Sequence, residues 1–318
     1  TFAVDVAQSY YNVLQNLDRV SNNYDNLKSS RLSYERERAW QEEGERTASE
    51  VARLESQVLS ADSSWTNSIV GYKRNLDNFK ILLGFPTDAA LILDDAELKA
   101  LEERDIQPPT LSTEEAIEIA LLTRLDLHTD RDRVDDSFRQ IKLAANDLKG
   151  GLGLLLTGSV PSKSRNRPAS FDFANSVWTA GLDLDLPLDR KAERNNYRRA
   201  LINYEVSLRT LDLATDNIKL QVRNAWRTLD QAQKDYEINL LRVDVEKRRV
   251  EEITIKAEGG LPGATINDQV DAQNALTAAE TSLTDALVRH TISLLELWRD
   301  VGILHVKKNG QWEEILNA

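Results

Sequence analysis

Two long stretches of this chain repeat each other, and that repeat constrains the fold more than any other feature. Tyr10-Tyr11-Asn12-Val13-Leu14 opens one helical run, and Ala225-Trp226-Arg227-Thr228-Leu229 opens another about 215 residues later. The first run passes Gly44 and closes at Leu82-Leu83-Gly84-Phe85. The second passes Gly259-Gly260 and closes at Asp300-Val301-Gly302-Ile303. Leu76 falls opposite Leu294 and Gly84 opposite Gly302, both at a spacing of 218. The growth from 215 to 218 fits a three-residue insertion in the turn Gly259-Gly260-Leu261-Pro262-Gly263. A period this long is not a short solenoid unit; it reads as a duplicated half-protein.

Each half reads as an antiparallel helix pair. Val6, Tyr10, Val13, Leu17, Val20, Tyr24, Leu27, Arg31 and Tyr34 step by three and four, the spacing of one helical face over residues 2–43. Gly44 breaks the pattern and Thr47 or Ser49 can cap the next helix, which runs to Leu83 with Gly84 as C-cap and Pro86 as stop. So short a turn makes the two helices neighbours. Residues 86–112 are irregular, with a helical piece near Asp95–Glu103 and a break at Pro108-Pro109. Ser112 or Thr113 opens a helix with Glu114 or Glu115 in its first turn, and this helix reaches about Lys149. From about Arg190 to Lys256 the helical pattern runs without proline or glycine, a rod of roughly 100 Å. Such a rod needs a coiled-coil or bundle partner. A return helix spans about Thr265 to Val301, and a tail with hairpin character at Asn309-Gly310 ends the chain.

Between these helices the period changes to two. Gly151-Leu152-Gly153-Leu154-Leu155-Leu156-Thr157 is short and strand-like, and a polar loop follows it. Trp178, Ala180, Leu182, Leu184, Leu186 and Leu188 then alternate with Thr179, Gly181, Asp183 and Asp185, which describes a strand with one apolar and one wet face. An isolated two-stranded hairpin is marginal in water, so its apolar face needs cover. It can pack on soluble helices, or it can be one part of a closed barrel in lipid, where strands of 9–11 residues span the hydrocarbon. Two strands close no barrel, so several hairpins would have to contribute.

Composition excludes several classes. A net charge of −12 argues against nucleic acid, whose binding needs clustered Lys and Arg. With no cysteine there is neither a disulfide framework nor a thiolate metal site. No stretch approaches the 18 or so apolar residues of a membrane-spanning helix. The chain starts at Thr1 without an initiator Met and reads as a fragment. Asp126, Asp130, Asp132, Asp135 and Asp136 lack the glycine and closing glutamate of a calcium loop and read as a solvated helix face. Gly151-Leu152-Gly153 has no strand–turn–helix around it, the three histidines lack ligand spacing, and no nucleophile–base pattern appears. The chain is expected to be no enzyme and to need no cofactor.

The order of elements resembles the TolC-type outer-membrane efflux proteins: helix, strand hairpin, very long helix, glycine turn and return helix. Ser176 to Leu188 looks like that family's second strand running into its Pro-Leu exit. Arg124-Leu125-Asp126-Leu127 resembles the Arg-Pro-Asp-Leu that opens the preceding helix, with Leu125 where proline is usual. Asn267-Asp268-Gln269-Val270-Asp271-Ala272 resembles the helix start beyond the periplasmic tip. The resemblance implies a mainly α fold of duplicated coiled-coil pairs, with a β-hairpin that contributes to a trimeric outer-membrane barrel. It divides the chain into a first helical hairpin (1–85), a connecting equatorial segment (86–112), a second repeat (113–302) with its β-hairpin at about 150–188, and a C-terminal equatorial tail (303–318). The first repeat then lacks counterparts of residues 113–215. The implied function is a passive channel-tunnel in the outer membrane of a Gram-negative-type bacterium, reaching into the periplasm. It would export small molecules or proteins as a homotrimer, with a periplasmic adaptor and an inner-membrane transporter as partners and outer-membrane lipid around it. The alternative is a periplasmic adaptor or structural coiled-coil protein.

Site expectations follow from the same resemblance. Asp268 and Asp271, three apart on one helical face, would form the pore constriction, where six carboxylates in a trimer repel each other, raise their pKa values and attract cations. The plainer reading is a pair of first-turn acids favoured by the helix dipole. Ser49, Glu50 and Lys256 would act as a tip latch, against the reading of Ser49 and Glu50 as ordinary cap residues. Trp178, Leu182, Leu184 and Leu186 would face lipid, with Trp178 suited to an interfacial aromatic belt. Trp40, Trp65, Trp226 and Trp298 read as packing anchors, and His290, opposite Tyr72 in the repeat, reads as a packing residue.

Overall fold

The computed structural model describes residues 2–44, 47–94, 96–103, 106, 111–162, 171–185, 189–258 and 265–305. Among the described residues there are seven α-helices, one antiparallel β-hairpin and a short 3-10 turn at Phe173–Asn175, in the order α1 (Phe2–Glu42), α2 (Ala48–Leu82), α3 (Ala96–Glu103), α4 (Thr113–Thr123), α5 (Leu125–Asn146), β1 (Gly151–Ser159), the 3-10 turn, β2 (Val177–Asp185), α6 (Lys191–Glu258) and α7 (Ile266–Val301). The turn at 259–264, the prolines at 108–109, the loop at 163–170, Leu186–Leu188 and the Asn309-Gly310 tail lie outside the described residues. The chain divides into two compact units. One comprises residues 1–123 with 218–318, and the other residues 124–217.

Within the first unit the duplication is visible at the level of individual hydrogen bonds. Thr47 caps α2 and Thr265 caps α7, each in a capping box closed by the acid three residues on, Glu50 and Asp268. Both helices end on a glycine of positive φ, Gly84 at 77° and Gly302 at 84°. In both, the next residue donates its N–H five residues back, Phe85 to Lys80 O at 2.8 Å and Ile303 to Trp298 O at 3.0 Å, the bond of a Schellman cap. Every one of these pairs is separated by 218. Buried apolar residues follow the same register: Ala7 with Val222 and Leu14 with Leu229 at 215, then Leu54 with Ala272, Ala61 with Ala279 and Phe79 with Leu297 at 218.

Side-chain contacts give the helix directions. Tyr10 meets Phe79, Tyr24 meets Trp65 and Arg31 meets Asp62, so α1 and α2 run antiparallel. Arg289–Asp235 and Lys247–Glu280 pair α7 antiparallel to the second part of α6. Asn26 to Asn274 and Thr284 to Asp18 set α1 against α7. The core is built from Val4, Ala7, Tyr11 and Leu14 of α1, Leu98 and Leu101 of α3, and Leu287, Val288 and Leu295 of α7. Apolar residues at helical spacing leave water here, and removing their area from solvent drives the packing at about 25 cal/mol per Å². Trp226 donates its indole N–H to Leu111 O at 3.0 Å, and His290 is buried in the packing, its pKa pushed down by burial.

The helix expected from 113 to about 149 is interrupted. Arg124 takes an extended conformation (φ −71°, ψ 118°) and divides it into α4 and α5. The cause is local. The guanidinium of Arg124 grips Asp126 through two bonds, at 3.0 and 2.6 Å, and Asp126 Oδ1 also accepts from the Leu127 N–H. Leu127 is then buried. On the α4 side, the Thr123 hydroxyl donates to Val301 O at 2.7 Å, at the end of α7. The Arg124 side-chain bond, helped by its charge and the backbone bonds, holds the Asp126 carboxyl below the usual range against the opposing effect of burial.

In the second unit, α5 lies antiparallel to the first part of α6. Phe138 meets Tyr204 at 5.8 Å between ring centroids, and the Ser137 and Ser207 hydroxyls are 2.7 Å apart. The hairpin ladder pairs Gly151 with Asp185 through to Ser159 with Val177, without a bulge.

Candidate functional site

Directly opposed residues in an antiparallel ladder share a face, so the register assigns every side chain of the hairpin. One face carries Leu152, Leu154, Leu156 and Gly158 from β1, with Leu184, Leu182, Ala180 and Trp178 from β2. The other carries Gly151, Gly153, Leu155, Thr157 and Ser159, with Asp185, Asp183, Gly181, Thr179 and Val177. The first face has no polar side chain except the indole N–H of Trp178, which donates to the Ser176 hydroxyl at 3.1 Å. The Trp178 ring lies over Gly158, where an added Cβ would sit 2.5 Å from the ring. That glycine is the surface on which the tryptophan rests.

Among the described residues nothing outside the hairpin covers this face. Trp178 is 72% exposed, Leu182 75% and Leu184 60%, and Leu152, Leu154 and Leu156 are comparably open. Leu186, expected on the same face, lies outside the described residues. A contiguous apolar face this bare marks a surface that meets another protein or lipid. Among the described residues no helix is long and apolar enough to cross a membrane.

Where the hairpin meets the helices, Arg190 acts as a staple that sequence reasoning did not single out. It donates to Asp185 at 2.8 Å and to Lys149 O at 3.4 Å, and pairs with Glu193 at 3.5 Å. It therefore ties the end of β2 to the chain entering β1 and to the start of α6.

The expected tip residues are engaged in their own helices. Asp268 Oδ2 accepts from the Thr265 N–H at 2.9 Å and from its hydroxyl at 2.6 Å. These bonds, the hydroxyl's first, lower its pKa. Within one chain, then, its charge is favoured, the reverse of the rise expected for a ring of carboxylates. Asp271 is exposed on the next turn. Glu50 accepts from the Thr47 N–H and hydroxyl at 2.9 and 2.8 Å, and Ser49 lies 3.1 Å from that hydroxyl. Lys256 pairs with Glu252 one turn back.

The polar links between the two helix pairs use other residues. Arg53 donates to Asn267, and Gln57 to Asn274 at 2.9 Å. In the repeat, Arg53 stands at the place of Asp271 and Asn267 at the place of Ser49. The signal was present in the shared register of the two N-caps, because it places both side chains within two turns of neighbouring helix starts. Among the described residues no group of three His, Asp or Glu is placed to hold a metal.

No family model and no curated relative matches the sequence. The fold, by contrast, is shared with solved outer-membrane channels. The chain is similar to the outer-membrane channel OprN (15% identity, TM-score 0.73, covering 94% of this chain and 65% of that one). It is also similar to the outer membrane protein VceC of Vibrio cholerae (15%, 0.75, 95% and 69%) and to the open state of the Neisseria gonorrhoeae MtrE channel (16%, 0.73, 94% and 66%). The chain thus has the TolC-type channel fold, with duplicated coiled-coil helices and an antiparallel strand hairpin, and it spans about two thirds of the length of these structures.

Proposed function

We propose that this chain is part of a passive outer-membrane channel, its hairpin contributing staves to a barrel shared among three chains and its helix pairs lining a periplasmic conduit. The observation that carries this reading is the hairpin register, which gives one exposed face that is apolar apart from the Trp178 indole N–H, and one that sets Leu155 and Val177 among Gly, Thr, Ser and Asp. Such a surface fits lipid on one side and a water-filled lumen on the other. Its work is geometry and electrostatics, and it has no catalytic step. In an efflux or secretion assembly, an adaptor and an inner-membrane transporter would supply docking and energy.

In the same reading Asp268 and Asp271 of three chains would meet at the conduit's narrow end. There Asp271 faces solvent, and Asp268 would trade part of its cap bonding for cation attraction. Ser49, Glu50 and Lys256 would contribute to closing that end alongside the Arg53–Asn267 link. Asp268→Ala combined with Asp271→Ala should raise single-channel conductance and weaken block by multivalent cations; unchanged values would remove the ring from the account. For the channel itself, the full-length protein should need detergent for extraction, migrate as a heat-sensitive trimer and conduct ions in a planar bilayer. A water-soluble, non-conducting monomer would overturn the reading.

A further inference from the structure

Midway along the contact between α1 and α7, carboxylates from both helices come together: Asp18 and Asp25 on α1, Glu280 and Asp285 on α7. Two of them are provided for. Asp285 accepts from Gln15 and pairs with Arg19 at 3.3 Å. Asp18 accepts from the Thr284 hydroxyl at 2.7 Å and from Asn22 at 3.0 Å. Glu280 differs. It is half-buried one turn from Thr284, whose hydroxyl reaches Asp18, and the charges of Asp18 and Asp25 on α1 repel it. From α6, Lys247 approaches it at 3.8 Å, beyond good hydrogen-bond distance.

We propose that Glu280 is a proton-operated fastener of this seam. Ionised, it is drawn toward Lys247 on α6 and repelled by α1; protonated, it loses the repulsion and gains a donor, and α7 seats more firmly on α1. The sign follows from its surroundings. Burial raises its pKa most, Lys247 opposes the rise, and Asp18 and Asp25 add to it, with the net effect upward. A carboxyl whose pKa is raised in the folded contact weakens that contact as pH climbs from the ordinary carboxyl range through the raised value, and strengthens it on acidification. This is the reverse of a capped acid such as Asp268. Under the channel reading, a firmer seam would keep the two helix pairs together in acid. That consequence rests on the channel reading, whereas the seam itself does not.

The chain has no cysteine, so Ser21→Cys on α1 and Ala278→Cys on α7, both exposed positions, place one spin-label pair across the seam of the full-length protein in detergent. Electron–electron distance measurement should show a splayed population that falls severalfold between about pH 8 and about pH 4, on the acid side of the ordinary carboxyl range. Glu280→Gln, near-isosteric, should show the acid distribution at both values. Lys247→Ala should move the transition to higher pH, because it removes the group that opposes protonation. A distribution independent of pH, or a pH response that survives Glu280→Gln, would overturn the proposal.

Discussion

Leu182→Arg separates lipid from water at the hairpin. Leu182 pairs with Leu154 near the middle of the ladder, on the apolar face, and is 75% exposed in the chain alone. If that exposure were to water, the substitution would touch no packing and would change stability by no more than about 0.5 kcal/mol. If the face meets lipid, an arginine near the bilayer midplane costs about 2–4 kcal/mol per chain, and three chains each bear that cost. Asp183→Arg, one residue along on the wet face, is the matched control and should be nearly neutral for assembly while altering ion selectivity. The assay is reversible unfolding of the full-length protein from liposomes by urea, read by the loss of the heat-sensitive trimer on unheated gels. A large loss for Leu182→Arg with a small one for Asp183→Arg is expected. Equal effects, or two neutral substitutions, would refute the assignment of the faces.

Gly84→Ala and Gly302→Ala should each cost about 1 kcal/mol in thermal unfolding, because both glycines occupy the same left-handed cap conformation; a marked inequality would argue against equivalent caps. Thr265→Ala should raise the Asp268 pKa toward the ordinary range, seen by carbon-detected titration. The stability that Asp268 contributes above that range, lost as pH falls through its lowered value, should shrink with it. Arg53→Ala removes the link to Asn267 at an exposed site, so stability should change by under about 1 kcal/mol while conductance rises; unchanged conductance would leave the link without a gating role.

The duplication was legible because its landmarks are local. A glycine after Leu83 or Val301 can end a helix whatever surrounds it, and Thr47 and Thr265 each carry an acid three residues on. The interruption at Arg124 was hidden from periodicity, since the apolar spacing runs through it. What breaks the helix is a two-bond grip between Arg124 and Asp126, reinforced by Thr123 reaching the end of α7. The wet and dry faces of β2 followed from its alternation. Those of β1 did not, because glycines and an extra leucine blur its pattern, and only the pairing with β2 assigns Leu155 to the polar side. Arg53, Asn267, Arg190 and Glu280 were missed for one common reason. Each acts across elements distant in sequence, and the spacing along one helix carries no record of its neighbour.

Single cysteines placed in turn at positions 178 to 185 of the full-length protein in liposomes, each carrying a spin label, test the central claim most directly. Collision with oxygen, which concentrates in hydrocarbon, should dominate at Trp178, Ala180, Leu182 and Leu184. Collision with a water-soluble nickel complex should dominate at Thr179, Gly181, Asp183 and Asp185. Uniform access of the nickel complex to all eight positions would contradict the account.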